Sequence, residues 1–174
     1  GDIFLLFCET NNEAVTAPTG WTATADSPVT ETTSVVTRLS VFWKRAAASE
    51  TAPTVTDPGD HCVAQIMAIS GCSKTGNPWD VTSASTDATA DTSASATGDT
   101  TTVNDCLVVV TVATGFDTAS TTEISGWTNA SLEAITERMD KWASDGGGGG
   151  FGVATGHMRT AGAYGATTAT TVNA

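Results

Sequence analysis

A chain of 174 residues, 40% hydrophobic and with a mean hydropathy of -0.01, can build one packed domain of ordinary size. It contains no run of ~18 consecutive apolar residues of the kind that spans a bilayer, so no membrane partner is expected. Its 19 acidic and 7 basic side chains give a net charge of -12, and seven scattered cations cannot supply the clustered contacts that nucleic acid requires.

Threonine makes up 34 of the 174 residues. It is β-branched and stiff at χ1, and it suits a pleated strand better than a helix. The composition therefore predicts an all-β protein.

In chain order, the first predicted strand is GDIFLLFCET. It is apolar on both faces, with Ile3, Leu5 and Phe7 on one and Phe4, Leu6 and Cys8 on the other. A sandwich strand with one wet face should alternate. A continuous apolar strand needs cover on both sides, from loops of the same chain or from a second subunit, and homo-oligomerisation is expected on this ground. A polar loop then leads to GWTAT at Gly20–Thr24. Over Val36–Trp43, Leu39, Val41 and Trp43 share a face opposite Arg38 and Ser40. HCVAQIMAIS at His61–Ser70 is a further apolar strand, and Trp79 in GNPWD follows a turn. Thr82–Thr102 is small-residue and low in complexity, which fits a linker or a surface excursion containing an exposed strand.

The chain then repeats itself. NDCLVVVTVAT, a polar loop and GWTNA match GDIFLLFCET, a polar loop and GWTAT, pairing Asp2 with Asp105 and Trp21 with Trp127. KRAAASETAPTVT at Lys44–Thr56 aligns without a gap with MRTAGAYGATTAT at Met158–Thr170. The sequence predicts one domain over 1–174, a jelly-roll-like β-sandwich with internal pseudo-duplication. Its halves are 1–81 and 103–174, joined by 82–102. The recurrence of Trp21 and Trp127 points to packing at a sandwich end, and Trp43 and Trp142 read as core or interface. The second half reaches Ala174 before its equivalent of His61–Ser70 would begin. The expectation is that the gene encodes a further apolar strand, with strand donation by a neighbour as the alternative.

Two segments are ambiguous. In SLEAITERMDKWA, Leu132, Ile135, Met139 and Trp142 fall at helical spacing, yet the repeat places the segment in a strand-rich region, and strand is the reading adopted. SDGGGGGFG at Ser144–Gly152 reads as a hairpin tip or loop.

Chemistry is sparse. Cys8, Cys62, Cys72 and Cys106 are even in number and compatible with two disulfides. They match no disulfide framework, and buried free thiols are the favoured reading. His61 and His157 each sit beside a turn with no HExxH or Cys/His cluster, so they read as turn-flanking polar residues, and no metal is expected. No nucleophile elbow, Walker loop or dinucleotide fingerprint occurs. The acids Asp57, Asp60, Asp80, Asp87, Asp91 and Asp99 read as solvated surface, with no pair singled out for catalysis and no calcium loop. No cofactor and no enzymatic activity are expected. Trp79 is the single weak candidate for ligand binding.

Several blocks together carry a resemblance: GDIFLLFCET…AVTAPTGWT, RLSVFWKRA, GNPWDVTS, TTTVNDCLVVVTVAT, SGWTNASLEAITER and GGGFGVATGHMRTAGAYGATT. The chain resembles phage-encoded virion proteins of the tail-fibre and structural type over nearly its whole length. FWKRA, NPWDVT and GGGFGVATG are the most distinctive blocks. The resemblance implies a non-enzymatic role in decorating or cementing a capsid, or in a fibre or tail. It also implies a location on the virion surface and other virion proteins, itself included, as partners. A carbohydrate-binding host-attachment module and a subunit of an extracellular filament are the alternatives.

Overall fold

The structure is a computed structural model that describes residues 1–33, 35–56, 58–89, 91–117 and 122–172. Among them there are eleven strands and no helix. In chain order these are β1 (Ile3–Thr10), β2 (Thr22–Ala23), β3 (Val29–Glu31), β4 (Thr37–Arg45), β5 (Cys62–Ile69), β6 (Ser93–Ala96), β7 (Cys106–Thr114), β8 (Ile124–Thr128), β9 (Glu133–Ala143), β10 (Gly149–Met158) and β11 (Thr167–Thr171). All pairings are antiparallel, and they form three sheets. In the first, β1 lies between β4 and β5, while β2 and β3 both pair with β4. In the second, β10 lies between β7 and β9. In the third, β11 lies between β6 and β8.

The two-sided apolar strands are explained by stacking. Ile3, Leu5 and Phe7 of β1 face Phe151 and Val153 of β10, with Leu39, Val41 and Trp43 beside them. The opposite face of β1, carrying Leu6 and Cys8, is covered with Phe42 by Val15, Trp21 and Val55 from the chain's own loops. The middle sheet is covered twice. One side meets the first sheet, and the other presents Val108, Val110 and Val112 of β7 to Tyr164, Ile124, Ala169 and Trp127. Of the two sources of cover the sequence allows, the chain's own loops and strands supply it on both faces of β1 and over Val108, Val110 and Val112 of β7. β5 is half-exposed or exposed along its length, and Leu107 of β7 is 52% exposed.

β10 shows how the glycine run is used. Only Ser144–Gly148 forms the turn, and Gly149–Gly152 is already strand at the centre of the molecule. Side chains alternate across a strand. Phe151 and Val153 therefore point to the first sheet, while Gly152 faces β8 of the third. A Cβ on Gly152 would stand 2.9 Å from both Ile124 and Trp127, and one on Gly156 would stand 2.9 Å from Leu132. The small residues allow the third sheet to approach.

The segment of helical spacing forms the eleven-residue strand β9, with register shifts against β10 between Val153 and Ala154 and between Thr155 and His157. Those irregularities break strict alternation, which is how Leu132, Ile135 and Met139 reach apolar surroundings without a helix. Within 82–102, Ser93–Ala96 is β6, an edge strand paired with β11. Trp21, Trp43, Trp127 and Trp142 are all half-buried, and the first three pack against apolar clusters. Asp57 and Ala174 lie outside the described residues.

Candidate functional site

Two features stand out: a buried polar cluster at the end of β1 and an open groove along β7. The cluster centres on Glu9, whose side chain is wholly buried. His61, at the entry to β5, brings its Nε2 to 3.0 Å and 3.3 Å from the two Glu9 carboxylate oxygens. Thr37 Oγ1 donates to Glu9 Oε1 at 2.9 Å. The other ring nitrogen of His61 lies 3.3 Å from Asp60 Oδ2, which also accepts the amide of Gly147.

The glycine-rich turn closes over this cluster. Any side chain at Gly149 would place its Cβ 2.6 Å from Glu9 Oε1 and 2.7 Å from His61 Nε2. Burial pushes the Glu9 carboxyl up to about 7, partly offset by His61 and by the Thr37 hydrogen bond. The arrangement is a latch that ties β1, β4, β5 and the β9–β10 turn together. The side chains of Glu9 and His61 are at most 1% exposed, so the cluster is closed to solvent. His61 directly follows the bend at Gly59 and Asp60, and its side chain is buried. Nothing in its immediate sequence announces this, since its partner stands 52 positions away. His157 is the ordinary case, half-buried and 3.3 Å from Asp105.

A second buried carboxylate, Glu123, accepts from Thr114 Oγ1 at 3.4 Å. Nearby, Asp140 accepts the Ile124 amide at 3.3 Å, and burial raises its carboxyl above the usual range. These groups anchor the entry to β8, and no local pattern of residues marks them.

The acids singled out in the sequence are mostly loop acceptors. Asp80 receives the amide and hydroxyl of Thr102, which hold its carboxyl below the usual range. Asp87 receives the amides of Thr89 and Ser95, Asp91 that of Ser93, and Asp99 that of Thr100. No group of three or more His, Cys, Asp or Glu placed to hold a metal ion occurs among the described residues. Cys8, Cys72 and Cys106 are free thiols. Cys8 is buried, and burial, with Cys62 nearby, pushes its thiol up to about 12. Such a thiol is inert at neutral pH.

The groove has a volume of about 980 Å³. One wall is the whole length of β7, whose far edge pairs with no strand among the described residues. Its floor is the apolar face of the first sheet, including Ile3, Leu5, Leu39 and Val41, and its outer wall is the chain around 78–97. Trp79 lines this groove. Its ring meets that of Trp43 edge-on at 5.0 Å and 86°, so part of its surface is already used in packing.

No protein-family model, no curated protein and no solved structure matches the chain.

Proposed function

We propose that this chain is a non-enzymatic structural module of a bacteriophage particle, a capsid decoration or cement protein or a component of a fibre or tail. The observation that carries an assembly role is the β7 edge, which pairs with no further strand among the described residues and runs along an apolar groove. An open edge beside an apolar channel is a template for association. The particle itself is supported by the resemblance of the FWKRA, NPWDVT and GGGFGVATG blocks. Its partners are other virion proteins and further copies of itself, and its acidic exterior faces solvent at the particle surface. Wide, repeated contacts between symmetry copies do this work without a reactive group.

The architecture we propose is a jelly-roll-like sandwich arisen by internal duplication. The pairing of β1 with β4 and of β7 with β10 supports it. Lys44 stands opposite Phe4, and its repeat equivalent Met158 stands opposite Cys106, one residue from the equivalent of Phe4. β3 flanks β4 as β9 flanks β10.

Proteomic analysis of density-purified particles tests the function. Peptides of this chain are expected in the particle fraction at a stoichiometry comparable to other structural subunits. Their confinement to the soluble or filament fraction would refute the proposal. The position of Trp79 in the groove favours one other reading, a glycan-binding attachment module. That reading requires glycan-array binding that Trp79→Ala abolishes, and the structural reading predicts no such signal.

A further inference from the structure

We infer that the β7 groove is the seat of an added β-strand. Its occupant is an extended segment of a partner polypeptide, apolar at alternate positions and flanked by lysine or arginine. This deepens the assembly role proposed above and rests on it.

The argument begins with the backbone. β7 is nine residues long and hydrogen-bonds to β10 along one edge only. In an antiparallel ladder about half of a strand's amides and carbonyls point to each side, so the outer half of those of β7 face the groove. In the first sheet β1 is flanked on both sides, by β4 and by β5. No described residue pairs with β7 in the corresponding place, and the apolar floor of the first sheet runs beneath it. A strand laid there would complete the ladder and set alternate side chains against Leu5 and Val41.

Charge selects the occupant. Asp26, Glu31, Asp80, Asp87, Asp91 and Asp105 line the groove, and no Lys or Arg does. A segment with acidic flanks would be repelled, whereas basic flanks would be drawn in and held. A second copy of this chain fits poorly. Its strand with basic residues at both ends, β4, carries Arg38, Lys44 and Arg45 and is locked between β1 and the β2 and β3 strands.

The test uses the purified chain and three synthetic peptides: KKVTVTVTVTVRR, the same core with glutamate flanks, and the basic form with proline at the central position. Binding is read by fluorescence anisotropy at about 50 mM and about 500 mM salt, and the site by amide hydrogen exchange. The basic peptide is expected to bind, at least tenfold tighter than the acidic one. The gap should narrow at high salt, and β7 amides should gain protection. The proline peptide is expected to lose binding, since it lacks the amide that pairs with β7. The double variant Asp26→Lys, Glu31→Lys should weaken the basic peptide with an unchanged unfolding midpoint.

Equal binding of all three peptides, or protection confined to other strands, would overturn the inference. So would the absence of binding, or a self-associated chain whose β7 amides are already protected by a second copy. Particle proteomics reads the virion role separately, so either claim can fail alone.

Discussion

Phe151→Ala is expected to destabilise the fold by about 3–5 kcal/mol, the range for truncating a fully buried aromatic. Phe151 is 0% exposed, on the central strand of the middle sheet, and its ring lies 5.9 Å from that of Phe7 at an interplanar angle of 31°. It is the knob that fixes the first sheet onto the second. Its core neighbours Ile3, Leu5, Phe7 and Val153 are themselves buried and packed on it. Since domains of this size are typically stable by about 5–15 kcal/mol, much of the total would be lost. Urea unfolding followed by tryptophan fluorescence measures it. A change below about 1 kcal/mol would mean that the two sheets are not joined through this residue.

The buried latch predicts an inverted pH dependence for one carboxyl. Glu9 titrates at about 7 in the folded chain against 4.5 for an unperturbed glutamate, chiefly because burial penalises its charge. Between those values the folded state holds a proton that the unfolded state has released. The contribution of Glu9 to stability is therefore fully present below pH 4.5 and is lost as pH rises through about 7. At about 1.4 kcal/mol per pH unit the difference is on the order of 3 kcal/mol. Glu9→Gln removes the titration and keeps an acceptor for Thr37. The stability of the wild type relative to this variant should thus decline across the interval and level off above it. Denaturation midpoints of both proteins at matched pH values give that difference, and two parallel curves would rule the effect out.

Much of the fold was legible because β-structure writes itself in local chemistry. The threonine-rich composition, the two-sided apolar runs and the recurrence of Gly-Trp-Thr pointed to strands at β1, β4, β5 and β7 and to strong burial. Period was the weaker guide where strands are irregular. The bulged pairing of β9 sets Leu132, Ile135 and Met139 at a spacing that imitates a helix. The glycine run misled for a related reason. Glycine in a strand marks close approach of another layer, and that layer, with Ile124 and Trp127, lies far along the chain.

The site was less legible still. The partnership of Glu9 with His61 depends on where β1 and β5 meet, which no local window contains. The open edge of β7 is a property of topology, and every residue in it reads as ordinary core. Only the acidity of the chain was visible beforehand, and its concentration around the groove was not.

Residue-resolved amide exchange on the isolated chain tests the central claim, that the polypeptide buries its own strands in stacked sheets and that the outer edge of β7 pairs with no strand among the described residues. β10, bonded on both sides, should exchange slowly along its whole length. β7 should alternate, slow where an amide meets β10 and fast where it faces the groove. Uniformly slow exchange along β7, or fast exchange through β10, would contradict the account.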